Sequence, residues 1–299
     1  PLSRVARRAI KTSVEIDLEP PEEISYQHTV FCQTSLPYRN PGKEVRIWER
    51  RQGNVGLRVE AGAAQLPGKP VWVDLPLPSG PKARLILCYL NAETIKQQSP
   101  LIEIENSLTA FTRRLGLASK GQNINAIKNQ LSALSASTMR LGFTYDDRSV
   151  TIKQDIVRGF DLWFPKNERQ RVLWPATVQL SDQYFNSLVN HAVPLDERAL
   201  GALSHSALAL DIYSWLAQRL HRIPQGEPQF IKWASIKDYH FGQGYGRMDN
   251  FKRVFRVAMK QVLAQYQVAN VEEDRHGLTL RNSAPPVPKK LYVVNKLVE

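Results

Sequence analysis

Phe241-Gly242-Gln243-Gly244-Tyr245-Gly246-Arg247-Met248-Asp249-Asn250-Phe251-Lys252-Arg253-Val254-Phe255-Arg256-Val257-Ala258-Met259-Lys260 is a glycine-punctuated turn running into a two-faced helix. Phe251, Val254, Phe255, Ala258 and Val262 recur at steps of three and four, which predicts one apolar face. Lys252, Arg253, Arg256 and Lys260 fall on the other side, with Arg247 at the start. The glycines lack the long preceding strand and later acidic residue of a dinucleotide site, so they read as a turn.

Working outward, Ser206 to Arg222 predicts a helix with Leu208, Ile212, Trp215, Leu216 and Leu220 inward. Phe230-Ile231 is a short extended run, and Ser235 to Phe241 a short helix. After the basic helix, Val268 to Glu273 and Leu278 to Arg281 flank Arg275-His276-Gly277, a hairpin. The same order stands about 125 residues upstream. Ala83 to Gln97 is an amphipathic helix, and Leu101-Ile102-Glu103-Ile104 a short strand. Ser107 opens a helix that Gly116 ends. Lys120-Gly121-Gln122 is a turn, and the next helix carries Ile124, Ile127, Leu131 and Leu134 on one face. Met139 to Tyr145 and Ser149 to Lys153 then read as a hairpin. Helix, strand, helix, turn, helix, hairpin is the pattern of a winged helix, a helix-turn-helix with a β wing.

The expected fold is therefore α+β, two tandem winged-helix domains with an N-terminal β-hairpin extension. The extension is Val45-Arg46-Ile47-Trp48 and Val55-Gly56-Leu57-Arg58-Val59 about the turn Gln52-Gly53-Asn54. Residues 62–81 are rich in Pro and Gly and read as irregular. Val172 to Leu180 reads as a strand and Ser181 to His191 as a helix linking the halves. The chain divides into a basic arm and linker (1–28), the hairpin region with the first winged helix (29–160), the second winged helix with its connecting strand and helix (161–283), and a Pro-rich basic tail (284–299). The arm carries Arg4, Arg7, Arg8 and Lys11 among apolar residues at helical spacing. It reads either as an amphipathic helix or as a frayed terminus.

Composition agrees with two folded units. The 299 residues suit about two domains, and 42% hydrophobic residues can build cores. The longest apolar runs fall far below the ~18 residues of a spanning helix, and no leader pattern opens the sequence. Cys32 and Cys88 are too few for a disulfide framework and lack metal-ligand spacing. A bacterial cytoplasm is the expected compartment. Lys and Arg total 40 against 28 Asp and Glu, a net charge of +12 that suggests an anionic partner, most commonly nucleic acid, although a membrane surface or mere solubility gives the same number.

Nucleic acid is the partner this pattern suits. The five cations from Arg247 to Lys260 can hold phosphates, and an arginine near a helix start can read guanine. A lone basic helix more often has a solvated face; two such units and the excess charge favour DNA. On the first unit, Asn123, Asn125, Lys128, Asn129, Gln130 and Ser132 are expected outward. Either these residues probe adenine edges, or the unit is a packing or dimerisation module. Arg148 and Arg275 on the two hairpins can reach phosphate; a charge on a turn tip is more often solvated.

No phosphate-binding Gly-x-x-x-x-Gly-Lys loop, paired histidines or His-Glu-x-x-His motif occurs, so neither a nucleotide-driven motor nor a nicking enzyme is indicated. No enzyme activity, cofactor or metal is expected.

Several separated stretches together resemble the plasmid-encoded RepA replication proteins. They are Cys32-Gln33-Thr34-Ser35-Leu36-Pro37-Tyr38-Arg39-Asn40-Pro41-Gly42, Leu77-Pro78-Ser79-Gly80-Pro81-Lys82-Ala83-Arg84-Leu85, and Ser107-Leu108-Thr109-Ala110-Phe111-Thr112-Arg113-Arg114-Leu115-Gly116-Leu117. Downstream come Val193-Pro194-Leu195-Asp196, Ala209-Leu210-Asp211-Ile212-Tyr213-Ser214-Trp215-Leu216-Ala217-Gln218-Arg219-Leu220, Phe241-Gly242-Gln243-Gly244-Tyr245, and Gly277-Leu278-Thr279-Leu280. The resemblance spans about residues 29–288. It implies an initiator that binds directly repeated duplex sites at a plasmid origin, opens DNA locally and recruits host replication factors. It also implies homodimers that repress their own gene alongside monomers that bind the origin. No membrane partner is expected. Asn123 to Leu131 departs from the family's arginine-bearing helix, keeping only the glutamine. A transcriptional repressor without an origin-opening role is the alternative reading.

Overall fold

The computed structural model describes residues 3–65, 71–104, 108–144, 149–154, 156–161 and 176–289. The mixed α+β fold opens with α1 (Arg4–Leu18), β1 (Ile24–His28) and α2 (Thr29–Gln33), then β2 (Ile47–Gln52), β3 (Val55–Glu60), β4 (Ala63–Gln65) and β5 (Trp72–Asp74). The first set of core elements is α3 (Gly80–Gln97), β6 (Leu101–Ile104), α4 (Leu108–Arg114), α5 (Gly121–Ala136), β7 (Thr138–Thr144), β8 (Ser149–Gln154), β9 (Val157–Asp161) and β10 (Ala176–Leu180). The second is α6 (Asp182–His191), β11 (Ala192–Asp196), α7 (Glu197–Leu203), α8 (Ala207–Arg219), β12 (Gln229–Lys232), α9 (Trp233–Ser235), α10 (Met248–Gln265), β13 (Val271–Glu273) and β14 (Gly277–Leu280). α9 widens into a π-helical turn over Ile236–Phe241.

The two sets repeat one topology. β6 pairs with β10, which pairs with β9; β12 pairs with β14, which pairs with β13. β1 and β11 join the repeats as an antiparallel pair, with Ile24 opposite Asp196 and His28 opposite Ala192. Each of these strands ends on a residue that caps the next helix. His28 Nδ1 accepts from Val30 N–H at the start of α2, and Asp196 Oδ1 accepts from Arg198 N–H at the start of α7. The long helices α3 and α8 are buried through most of their length because apolar residues recur on several faces.

The hairpin β7–β8 stands apart from this repeat. Sequence places it as the first wing, yet β7 pairs with β3 and not with β6. With β2 and β8 it makes a four-stranded sheet of order β2-β3-β7-β8. Val55, Leu57, Val59, Met139 and Leu141 face its buried side. The N-terminal hairpin is thus present as β2–β3, extended by the hairpin that follows α5. The strand at the end of the linking stretch, β10, pairs with β6 of the first set. The Pro- and Gly-rich stretch holds the short pair β4–β5, where no strand is expected.

The basic arm forms helix α1, and it is docked. Arg8 donates to Gly116 O at 2.7 Å, and Gln265 donates to Ala9 O at 3.0 Å. Arg198 donates to Glu15 O and Glu19 O. Gly116 has φ 70° and ends α4 as expected; a Cβ there would stand 3.0 Å from Gly201 Cα. Cys32 and Cys88 are buried free thiols. Among the described residues no helix is long and apolar enough to cross a membrane.

Candidate nucleic-acid interface

α10 is built as its periodicity predicts. Phe251, Phe255, Ala258, Met259 and Val262 are buried, and Arg247, Arg253, Arg256 and Lys260 are exposed. The turn before it is forced by sterics. A Cβ at Gly242 would lie 2.2 Å from Lys237 O, and Gly244 has φ 70°.

Trp233 organises the cations, although it carries no charge signal in the sequence. It is buried, with its ring edge-on to Phe255 at 5.5 Å. Lys252 Nζ stands 5.0 Å from its ring centroid and Arg256 Cζ 5.8 Å, a cation–π arrangement that holds both against the ring. Its Nε1–H donates to Asp274 O, its backbone N–H donates to His276 O, and Lys252 Nζ donates to Arg275 O. The β13–β14 turn is therefore tied to α10, with Arg275 at the exposed tip. Asp274 Oδ1 accepts from His276 and Gly277 N–H, which shapes the turn and holds its carboxyl below the usual range.

The cations differ in what they already hold. Arg256 Nε donates to Glu273 at 2.6 Å, so its charge is matched in the free chain. Arg247 lies 3.9 Å from Asp249, both fully open to solvent, a pairing of little strength. Arg253 donates to Asn250 Oδ1. Lys260 is exposed and has no ion pair among the described residues. Expecting five equivalent cations overlooks Glu273, which arrives from β13.

α5 presents a polar face of a different kind. Asn125 and Asn129 are exposed and Lys128 is half-buried. Asn123 Nδ2 donates to Ala118 O at 2.8 Å, so its amide is engaged at the helix start. Gln130 and Ser132 are not on the outward face. Gln130 Oε1 accepts from Ser79 N–H at 2.7 Å, and Ser132 is buried. Neither α5 nor α10 has a side-chain cap; their N-cap residues are the cations Lys120 and Arg247. Arg148 lies outside the described residues. Among the described residues no three His, Cys, Asp or Glu side chains gather as a metal-holding group.

A family model described as plasmid-encoded RepA protein matches residues 77–235. Among solved structures, a selenomethionine derivative of domains 2 and 3 of RctB shares 10% identity at a TM-score of 0.45, over 92% of this chain and 98% of that one. A crystal structure of RctB domains 2-3 (RctB-155-483) shares 8% identity at a TM-score of 0.46, over 90% and 96%. A comparison with curated proteins finds no match.

Proposed function

The chain belongs to the plasmid-encoded RepA protein family, and from that premise we propose that it is a non-catalytic plasmid replication initiator binding specific duplex sites at an origin. Each repeat supplies a winged helix: α3-β6-α4-α5 with wing β9–β10, and α8-β12-α9-α10 with wing β13–β14. The topology supports this, since in both repeats the strand after the first helix pairs with the second strand of the wing. α10 is the main groove helix. The observation that carries the reading is its solvent-facing row of Arg247, Arg253, Arg256 and Lys260, backed by Lys252 and Arg256 on Trp233. Such a row neutralises phosphates along a major groove and gives steep salt dependence. α5, with Asn125 and Asn129 outward, contributes adenine-type contacts with little phosphate anchoring. Host replication factors then load at the bent or opened segment beside the bound sites.

The test is fluorescence anisotropy of the chain on tiled duplexes from the DNA flanking its own gene, with excess non-specific competitor and varied salt. Tight, competitor-resistant binding to one repeated element is expected. Uniform binding that vanishes with salt refutes a sequence-specific initiator. Opening of the bound origin with host factors, read by single-strand-specific cleavage, separates an initiator from a repressor.

A further inference from the structure

We infer that Gln130, Arg84 and Gln243 form a hydrogen-bonded bridge from α5 to α10 that fixes the rotational phase of the two groove helices, and so the spacing of the DNA segments they read. This rests on the proposed DNA reading. The bridge is continuous. At one end, Gln130 of α5 accepts from Ser79 N–H, the N-cap of α3. The next residue, Gly80, donates its N–H to Pro37 O at 2.9 Å. Arg84, one turn into α3, donates to Gly80 O, Pro37 O and Leu36 O. Its remaining donors meet Asp211 of α8 at 2.6 and 2.7 Å, with both side chains buried.

At the other end, the loop that Arg84 grips is gripped again by Gln243. Gln243 Nε2 donates to Leu36 O at 3.1 Å and to Ser35 Oγ, while Oε1 accepts from Tyr38 N–H at 3.2 Å. The backbone partners fix the amide orientation, since Leu36 O only accepts and Tyr38 N–H only donates. Gln243 sits four residues before Arg247, the N-cap of α10. Flanking contacts hold the same seam. Trp48 Nε1 donates to Ser35 O, and Arg50 donates to His240 O.

Arg84, Asp211, Gln243 and the loop 35–38 that they grip lie in four of the stretches that resemble the family, 32–42, 77–85, 209–220 and 241–245, while Gln130 lies outside them. Those stretches are far apart in sequence and meet at one internal seam. Their shared geometry links the start of α3 to the start of α10. The precision such a link must supply is set by DNA: one base pair is a rise of ~3.4 Å and a rotation of about 35°. Three hydrogen bonds in both directions on one amide, backed by a bidentate buried ion pair, resist motion of that size.

The experiment compares wild type, Gln243→Ala and Gln130→Ala in two measurements. The first needs no DNA: spin labels on Asn129→Cys and Ala264→Cys, both exposed sites on α5 and α10, report the inter-helix distance by pulsed electron resonance. A single narrow distribution is expected for wild type and a broadened one for each variant, with far-ultraviolet circular dichroism unchanged. The second uses the duplex bound in the anisotropy test, with one to five base pairs inserted between its two protected segments. Wild type should lose about tenfold or more in affinity at a half-turn insertion, because the second contact is no longer in register. Both variants should show a flattened spacing profile while binding a single segment as wild type does. Unchanged distance distributions overturn the bridge. Loss of single-segment binding in step with loss of Tm in both variants overturns it too, leaving a purely structural role. Wild-type binding that is sequence-specific but indifferent to spacing overturns the phasing alone. Binding indifferent to sequence overturns the DNA reading and the phasing with it.

Discussion

Acidification should destabilise this fold before its carboxylates titrate in bulk, and two buried histidines and the half-buried Glu197 set the slope. His28 is fully buried and caps α2. Val30 N–H donates to Nδ1, so the ring proton sits on Nε2, which donates to Ser187 Oγ at 3.0 Å. Protonation sets N–H against N–H, and burial with His191 nearby pushes the pKa down to about 3. His240 lies between Arg50 and Arg219 and is pushed down to about 4, chiefly by burial. Below pH 6.5 the unfolded chain binds a proton at each site that the folded chain refuses. Stability is therefore full above pH 6.5 and falls by about 1.4 kcal/mol per pH unit per site as pH drops. Glu197 acts in the opposite sense. Burial lifts it to about 7 against the pull of Arg114, so between pH 7 and 4.5 the folded chain holds a proton that the unfolded chain releases. It returns about 1.4 kcal/mol per unit as pH falls.

The net loss between pH 6.5 and 5 is one proton's worth, about 1.4 kcal/mol per unit. Below pH 5 other carboxyls titrate as well; Asp211, which burial also raises, acts in the same sense as Glu197. Urea unfolding followed by tryptophan fluorescence at pH 6.5, 6.0, 5.5 and 5.0 measures the slope. His28→Asn keeps an acceptor at the cap and should make the slope nearly flat. Glu197→Gln removes the opposing group and should steepen it to about 2.7 kcal/mol per unit. A His28→Asn slope equal to wild type, or a Glu197→Gln slope shallower than wild type, refutes the assignment.

Asp211→Asn strands the Arg84 guanidinium in the core and should cost about 3–5 kcal/mol in urea unfolding at pH 7; a loss under about 1 kcal/mol means the pair is wetter than it looks. Lys260→Ala should flatten the slope of log Kd against log salt by about one, and an unchanged slope removes Lys260 from the phosphate contacts. Glu273→Ala releases Arg256 and should tighten DNA binding at low salt while steepening that slope; weaker binding refutes the view that the pair masks a phosphate contact. Gly242→Ala drives a Cβ into Lys237 O and should cost on the order of 2 kcal/mol or more by thermal unfolding.

The long helices were legible because each pattern is local. α3, α5, α8 and α10 appear from three- and four-residue spacing, and Gly116 ends α4 as read. β1, β11, α2 and α7 were not legible. β11 is Ala192-Val193-Pro194-Leu195-Asp196, a short run buried on both faces with a proline inside, which offers neither alternation nor length. Its partner lies near the other end of the chain, and Tyr26 opposite Pro194 is a pairing that local propensity does not announce. At the candidate interface, helical phase gave the exposed face of α10 correctly. It gave nothing on which cations are free, since Glu273, Trp233 and Asp274 come from other elements. On α5 the same phase argument failed at Gln130, which the neighbouring start of α3 engages through Ser79 N–H, and at Ser132, which is buried.

The misplaced first wing shows where such reasoning stops in physical terms. The hairpin after α5 and the hairpin after α10 look alike in sequence: each follows a helix and each carries apolar residues. Their partners decide what they become. β13–β14 finds β12, whose Gln229 to Lys232 pair with Leu280 to Gly277. β7–β8 meets a rival edge that the second repeat lacks, the inserted hairpin β2–β3. β7 offers Met139 and Leu141 on one face, and β3 offers Val59 and Leu57 directly opposite. Pairing there buries both faces in one sheet and leaves β6 to β10. A strand's alternation says which residues it will bury, but several edges can satisfy it equally. The choice among them is made by what else the chain has inserted nearby, and that is a property of the whole fold.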